Sequence, residues 1–248
     1  MPITYIGGDS DGNQTQTPAV ALSFSGIPYQ ADDFALIFAI ADATSTVSGD
    51  ITINTATGWA ELDNYYHTGG NRRCTAVHYK KLTPSETDPG LTYAGSPTEQ
   101  LSGLLLVFRG VDTIDPWGSS SPFFQRDAGT ITTNPTNPAI TTDADNSSII
   151  LFKGQTNTSN IADTGEPTGY TAGPQILLPD NKANATAAYL LDSGSAGIKT
   201  PTAWTHADVL DLESYTVYTI ALKPADDTPP QSIDLGAIIE INKNRLVA

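Results

Sequence analysis

Apolar residues along the chain come in short runs separated by turn formers. The runs are "ITYIG" (3 to 7), "AVALSFS" (19 to 25), "FALIFAI" (34 to 40), "DITIN" (50 to 54), "CTAVHYKKL" (74 to 82), "SGLLLVFRG" (102 to 110), "SIILFKG" (148 to 154), "ATAAYLLDS" (185 to 193) and "YTVYTIALK" (215 to 223). Each is strand-length and bounded by Gly, Pro, Asn or Asp, as in "TNPTNP" and "GEPTG". No segment keeps a 3.6-residue period over three turns with caps, so any helix is short, within 204 to 214 or the C-terminal tail. Alternation in "TAVHYKK" puts Ala76, His78 and Lys80 on one face and Thr75, Val77 and Tyr79 on the other, the pattern of an outer strand.

The runs recur in one order. Ala31-Asp32-Asp33 matches Ala144-Asp145-Asn146, 113 residues on, and "TGW" ending at Trp59 matches "TGY" ending at Tyr170, 111 residues on. "TAVHYKKL" from Thr75 resembles "TAAYLLDS" from Thr186, and "LLVFRG" resembles "TIALKP", with Arg109 over Lys223. Two halves of about four strands each predict an all-β antiparallel jelly-roll sandwich, since a lone half would expose an apolar face and open edges. The predicted organisation is a sandwich over 1–225, with halves about 1–112 and 130–225, followed by a Pro-led linker and docking arm over 226–248. Two tandem domains are the alternative, with the Pro-rich segment 112–140 as their linker. The arm, "QSIDLGAIIEINKNRLVA", is too apolar for a solvated tail and too short to fold alone. Ile233, Leu235, Ile238, Ile239, Ile241 and Leu246 are its candidate docking residues, and strand addition to an open edge is the simplest mode.

Composition narrows the partners. The formal net charge is −15 and the 12 basic residues are scattered except for "NRRC" (71 to 74) and "KNR" (243 to 245), so nucleic acid and anionic membrane are not expected partners. No signal peptide and no membrane-spanning run is recognised, and the single Cys74 allows no intrachain disulfide.

The runs "ITYIGG", "ADDFALIFAIAD", "TAVHYKKL" and "LSGLLLVFRGVD", then "NSSIILFKG", "PTGYTAG" and "YTVYTIALKPA", resemble jelly-roll β-sandwich domains of tailed-phage and prophage virion structural proteins and of some bacterial surface proteins. The resemblance covers roughly residues 3 to 225, and "VFRGVD" and "ALKPA" are its most specific pieces. It implies a fold and a setting and transfers no active site. The expectation is a non-enzymatic virion protein made in the host cytoplasm and present in many copies on the particle surface, as a head decoration protein. Its partners would be copies of itself and other capsid or tail proteins. A tail or fibre component acting as a glycan-binding adhesin is the alternative.

Candidate chemistry is sparse. "GGDSDGNQ" (7 to 14) sets Asp9, Asp11 and Asn13 at alternate positions but lacks the Gly and Glu placements of a calcium loop, and is expected to form a turn. Glu61, Asp63, Glu86, Asp88 and Asp112 could supply a glycosidase pair only if two of them faced each other across a cleft. His67, His78 and His206 have no zinc-ligand spacing and Cys74 reads as a buried thiol, so no cofactor, metal or catalytic residue is expected. Two loops combine aromatic and arginine side chains: "NYYHTGGNRRC" (64 to 74) and "DPWGSSSPFF" (115 to 124). Tyr65, Tyr66, Arg72, Arg73, Trp117, Phe123 and Phe124 are the candidate contacts to protein or glycan.

Overall fold

The computed structural model describes residues 1–14, 19–43, 50–53, 56–67, 73–94, 98–120, 123–129, 134–157, 163–178, 183–206 and 212–226. The first half carries β1 (Thr4–Asn13), β2 (Ala19–Ala21), β3 (Phe34–Ala43), β4 (Ile51–Ile53), β5 (Ala60–His67), β6 (Arg73–Lys81), β7 (Gly90–Tyr93) and β8 (Thr98–Arg109). The second carries β9 (Phe124–Gly129), β10 (Ile140–Thr142), β11 (Ser148–Asn157), β12 (Asp163–Gly165), β13 (Thr171–Ile176), β14 (Asn184–Leu190), β15 (Gly197–Lys199), β16 (Thr205–His206) and β17 (Leu212–Leu222). There is no helix among the described residues. The molecule is an all-β, antiparallel sandwich.

Two five-stranded sheets form its layers, in the orders β1-β8-β3-β6-β5 and β13-β14-β11-β17-β9. Taken from opposite edges the two orders are the same, with β3 equivalent to β11, β6 to β14, β8 to β17, β5 to β13 and β1 to β9. The sequence repeat is therefore a repeated sheet. Pairing fixes its register: Ile37 sits opposite Leu105 and His78, as Leu151 sits opposite Thr219 and Ala188. Each sheet comes from one contiguous half of the chain, with no interleaving of strands between layers, so the pairings support a sandwich without the jelly-roll detail. β6 lies inside its sheet, flanked by β3 and β5, and is not the outer strand its alternation suggests.

Alternation explains the packing. Phe34, Leu36, Phe38 and Ile40 on β3 meet Ile150 and Phe152 on β11 and Tyr218, Ile220 and Leu222 on β17 in one cluster, so both halves fill the same core. At its centre the equivalent residues Phe38 and Phe152 stack, with centroids 5.1 Å apart and planes 11° apart. The opposite face of β3 carries Ala35, Ile37, Ala39 and Ala41, covered by the small sheet β2-β7-β4. The outer face of β11 is covered by Ile140 and Trp204. Burial on both faces is why the runs in β3 and β8 read as continuously apolar.

The sandwich has two distinct ends. At one, Thr4 pairs with Arg109, Phe34 with Lys81 and Ser148 with Leu222, and the crossing between halves is tied down. Val111 bridges Pro224 and Trp117 bridges Leu222. The Gly118 amide donates to the Ala221 carbonyl at 2.8 Å and the Lys223 amide to the Pro116 carbonyl at 2.9 Å, so the start of 112–140 belongs to the fold and is no free linker. At the other end Asp42 lies opposite Arg73, Gln155 opposite Asn184 and Tyr215 opposite Gly129.

Candidate functional site

The sequence-selected residues that the structure brings together lie along the side of the sandwich where β5 faces β9. β5 is polar, "AELDNYYH", and its pairing to β6 shifts between Glu61 and Asp63. This bulge sends both Leu62, which packs on the main core, and Asp63 toward the opposite sheet. Asp63 Oδ2 accepts from Arg126 Nη1 on β9 and from the Tyr218 hydroxyl on β17 at 2.9 Å. The Tyr218 hydroxyl directs its one hydrogen at Asp63, so at 2.9 Å Thr75 Oγ1 donates to the Tyr218 oxygen. Arg126 also lies over the Tyr65 ring, 3.8 Å from its centroid. Beside this group the Tyr215 hydroxyl donates to Asp127 Oδ2 at 2.9 Å.

Electrostatics follow from that geometry. Burial, reinforced by Asp63, pushes the Tyr218 hydroxyl well above its ordinary pKa. Burial works against the Arg126 charge, but the bond to Asp63 outweighs it and raises its pKa. The carboxylate, the guanidinium and the phenol thus satisfy one another across the gap between the sheets. Such a closed set cross-links the two layers.

Several expectations need correction. Trp117 is buried against Phe34 and Tyr79, with edge contacts at 5.9 and 4.9 Å, so it is a core residue and not an exposed contact. Tyr66 packs on the cluster beneath the small sheet, and Arg73 is fully buried. Tyr65 is held beneath Arg126 and Phe124 is half-buried against Tyr218. Phe123, 40% exposed and stacked on Trp117, is the most exposed of the described candidate rings. Arg72 and the six arm residues lie outside the described residues.

The other candidates serve the scaffold. Residues 7 to 13 form part of β1 and not a turn, with Asp9 accepting from the Ser23 amide at 2.7 Å and Asp11 from the Ala21 amide at 3.0 Å. Gly8-Asp9-Ser10-Asp11-Gly12 has the Gly-x-Ser-x-Gly spacing of a hydrolase nucleophile, yet it runs straight along β8 with no strand-to-helix turn to present the hydroxyl. Glu86 bonds Lys80 and Thr83, Asp88 accepts from the Phe24 amide, and Asp112 bonds Lys223 and the Ile114 and Asp115 amides. His78 is buried against the Ile51 carbonyl at 3.2 Å, and burial lowers its pKa. Burial pushes the Cys74 thiol up to about 12. Among the described residues no group of three His, Cys, Asp or Glu could hold a metal ion.

The equivalent cations Arg109 and Lys223 end the two repeated strands at the tied end. Arg109 grips Asp33 with both arms of its fork, Nε to Oδ1 at 2.9 Å and Nη2 to Oδ2 at 2.8 Å. Lys223 reaches Asp112 and Asp115 at 3.3 and 3.1 Å. Here the Ala225 amide donates to the Gly110 carbonyl at 2.8 Å and the Met1 amine to the Ala225 carbonyl at 2.6 Å. A cleft of about 570 Å³ opens beside these residues, lined by Met1, Asp32, Lys81, Arg109, Ile114 and Asp226 among others. Ile114 is 96% exposed on its rim.

No protein-family model matches the chain, no curated protein matches it, and no solved structure matches it.

Proposed function

We propose that this chain is a non-enzymatic structural protein of a virion, attached in many copies to the particle surface through its C-terminal arm. The observation that supports this reading most is the pinned exit of the chain. Residue 225 is held by its bonds to Gly110 and Met1, so the described chain ends at a defined point on the sandwich, and residues 227–248 follow it in sequence. That length reaches roughly 70 Å if extended at about 3.3 Å per residue, enough to lie along a neighbouring subunit. Its apolar residues Ile233, Leu235, Ile238, Ile239, Ile241 and Leu246 would supply the buried contact, and the acidic body would face outward. A head position suits a self-contained sandwich whose attachment is separate from its body.

The described acidic candidates are engaged in scaffold bonds, which favours a structural role over glycoside cleavage. The adhesin reading loses one of its stacking rings, because Trp117 is buried, and Tyr66 keeps only part of its ring exposed.

Deleting residues 227–248 tests the proposal. The shortened chain should keep the thermal midpoint of the full chain and lose incorporation into particles. Unchanged incorporation would remove the arm from the attachment.

A further inference from the structure

We infer that two copies of this chain exchange their C-terminal arms, each seating the segment 233–241 in the cleft at the tied end of the other. The cleft offers an apolar contact on a fixed frame. Ile114 stands 96% exposed on its rim, and Ala31, Val111 and the exposed Met1 line it as well. The turn that carries Ile114 is held in place. Asp112 Oδ1 accepts from the Ile114 amide at 3.0 Å and from the Asp115 amide at 3.1 Å, and Lys223 reaches both carboxylates. An apolar anchor presented on a fixed turn loses little freedom when it is covered. The cations of the cleft are matched within the fold, Arg109 to Asp33 and Lys81 to Asp32, both at 2.8 Å. Covering the cleft therefore leaves neither of them without its anion.

The occupant follows from the sequence beyond Asp226, the last described residue, which itself lines the cleft. Ile233, Leu235, Ala237, Ile239 and Ile241 recur at every second position, with Asp234, Gly236, Ile238 and Glu240 between them. That is the period of a strand with one face to bury. From Asp226 to Ile233 the chain spans roughly 23 Å at about 3.3 Å per residue, and Pro229 and Pro230 lie in that stretch. Proline fixes its own φ and keeps the residue before it extended, which opposes the reversal that a return into the parent cleft requires. A neighbouring cleft requires none. Because the root of the arm and its receptor share one cleft, a two-fold axis beside it makes the exchange reciprocal and closes a dimer. This inference rests on the arm as the attachment segment proposed above, and names a second copy of the chain as its partner.

Sedimentation velocity of the full-length protein tests it. The full chain should pass from monomer to dimer as its concentration rises, and the chain lacking 227–248 should stay monomeric. Ile114→Asp and Ile239→Asp should each weaken the dimer at least about tenfold, the order expected for losing one buried isoleucine. Ile238→Asp, on the other face of the strand, should leave it unchanged. Folding of each variant is checked by its thermal midpoint at a concentration where the full chain is itself monomeric. A full chain that never dimerises, a dimer that survives the deletion or is indifferent to Ile114→Asp, or an equal loss on Ile238→Asp would overturn the inference. Particle incorporation separates this claim from the attachment role. Incorporation lost on deleting 227–248 while the full chain stays monomeric in solution would retain the attachment and remove the exchange.

Discussion

Individual side chains in this protein are spent mainly on joining two sheets. Trp117 shows how: it packs edge-on to Phe34 and Tyr79 and carries Phe123 on its remaining face. Trp117→Ala should therefore cost about 3–5 kcal/mol in urea unfolding, typical of truncating a buried aromatic ring. A cost below about 1 kcal/mol would place the indole at the surface. Tyrosines make a second prediction. Burial raises the hydroxyls of Tyr5, Tyr170 and Tyr215 to about 12, with Tyr189 adding to the first and Asp127 to the last. Between the unfolded value, near 10, and about 12 the folded state holds protons the unfolded state has lost. Stability contributed by these residues should be fully present below about pH 10 and decline from there toward 12, measured as a falling urea midpoint alongside tyrosinate absorbance.

At the scale of elements, apolar strands were legible in the sequence and polar ones were not. The runs in β3, β8, β11 and β17 announce themselves because both faces are buried. β5, β9 and β13 have "AELDNYYH", "FQRDAG" and "TAGPQI", with no apolar alternation, since their polar groups pair across the layers or face outward. Eight expected strands thus became ten in the two large sheets. The repeat was legible but slipped by one residue at two landmarks. The left-handed turn residues are Asp32 and Asn146, with φ of 69° and 58°, which places Asp32 over Asn146 and not over Asp145. The register likewise sets Thr75 over Ala185, and a slip of one residue changes the face. Asp63, Arg126 and Tyr218 could not be grouped from sequence, because the bulge and the sheet stacking that assemble them are tertiary. Gly58 and Gly169, by contrast, keep their predicted correspondence, with φ of 82° and 87°.

The repeat also predicts a coupling. Ile40 and Gly154 are equivalent positions that meet across the core, where a Cβ on Gly154 would stand 2.9 Å from Ile40 Cδ1 and from Phe38 Cζ. Gly154→Ala should cost roughly 1–3 kcal/mol through overpacking. Combining it with Ile40→Val, which removes that Cδ1, should cost less than the two single changes added, as read in a double-mutant cycle. Strict additivity would mean that the two sites do not touch.

For the whole molecule, shared packing and the bonds at the tied end join the halves into a single body, and the described chain ends at that tied end. Phe38 lies on Phe152, Val111 bridges Pro224, and the Met1 amine closes onto Ala225. Cryo-electron microscopy of the native particle tests the account most directly. It should find regular copies of this sandwich on the particle surface, with density continuing from Ala225 onto a neighbouring subunit. A purified particle without the chain, or an arm folded back on its own sandwich with nothing bound to it, would contradict the account.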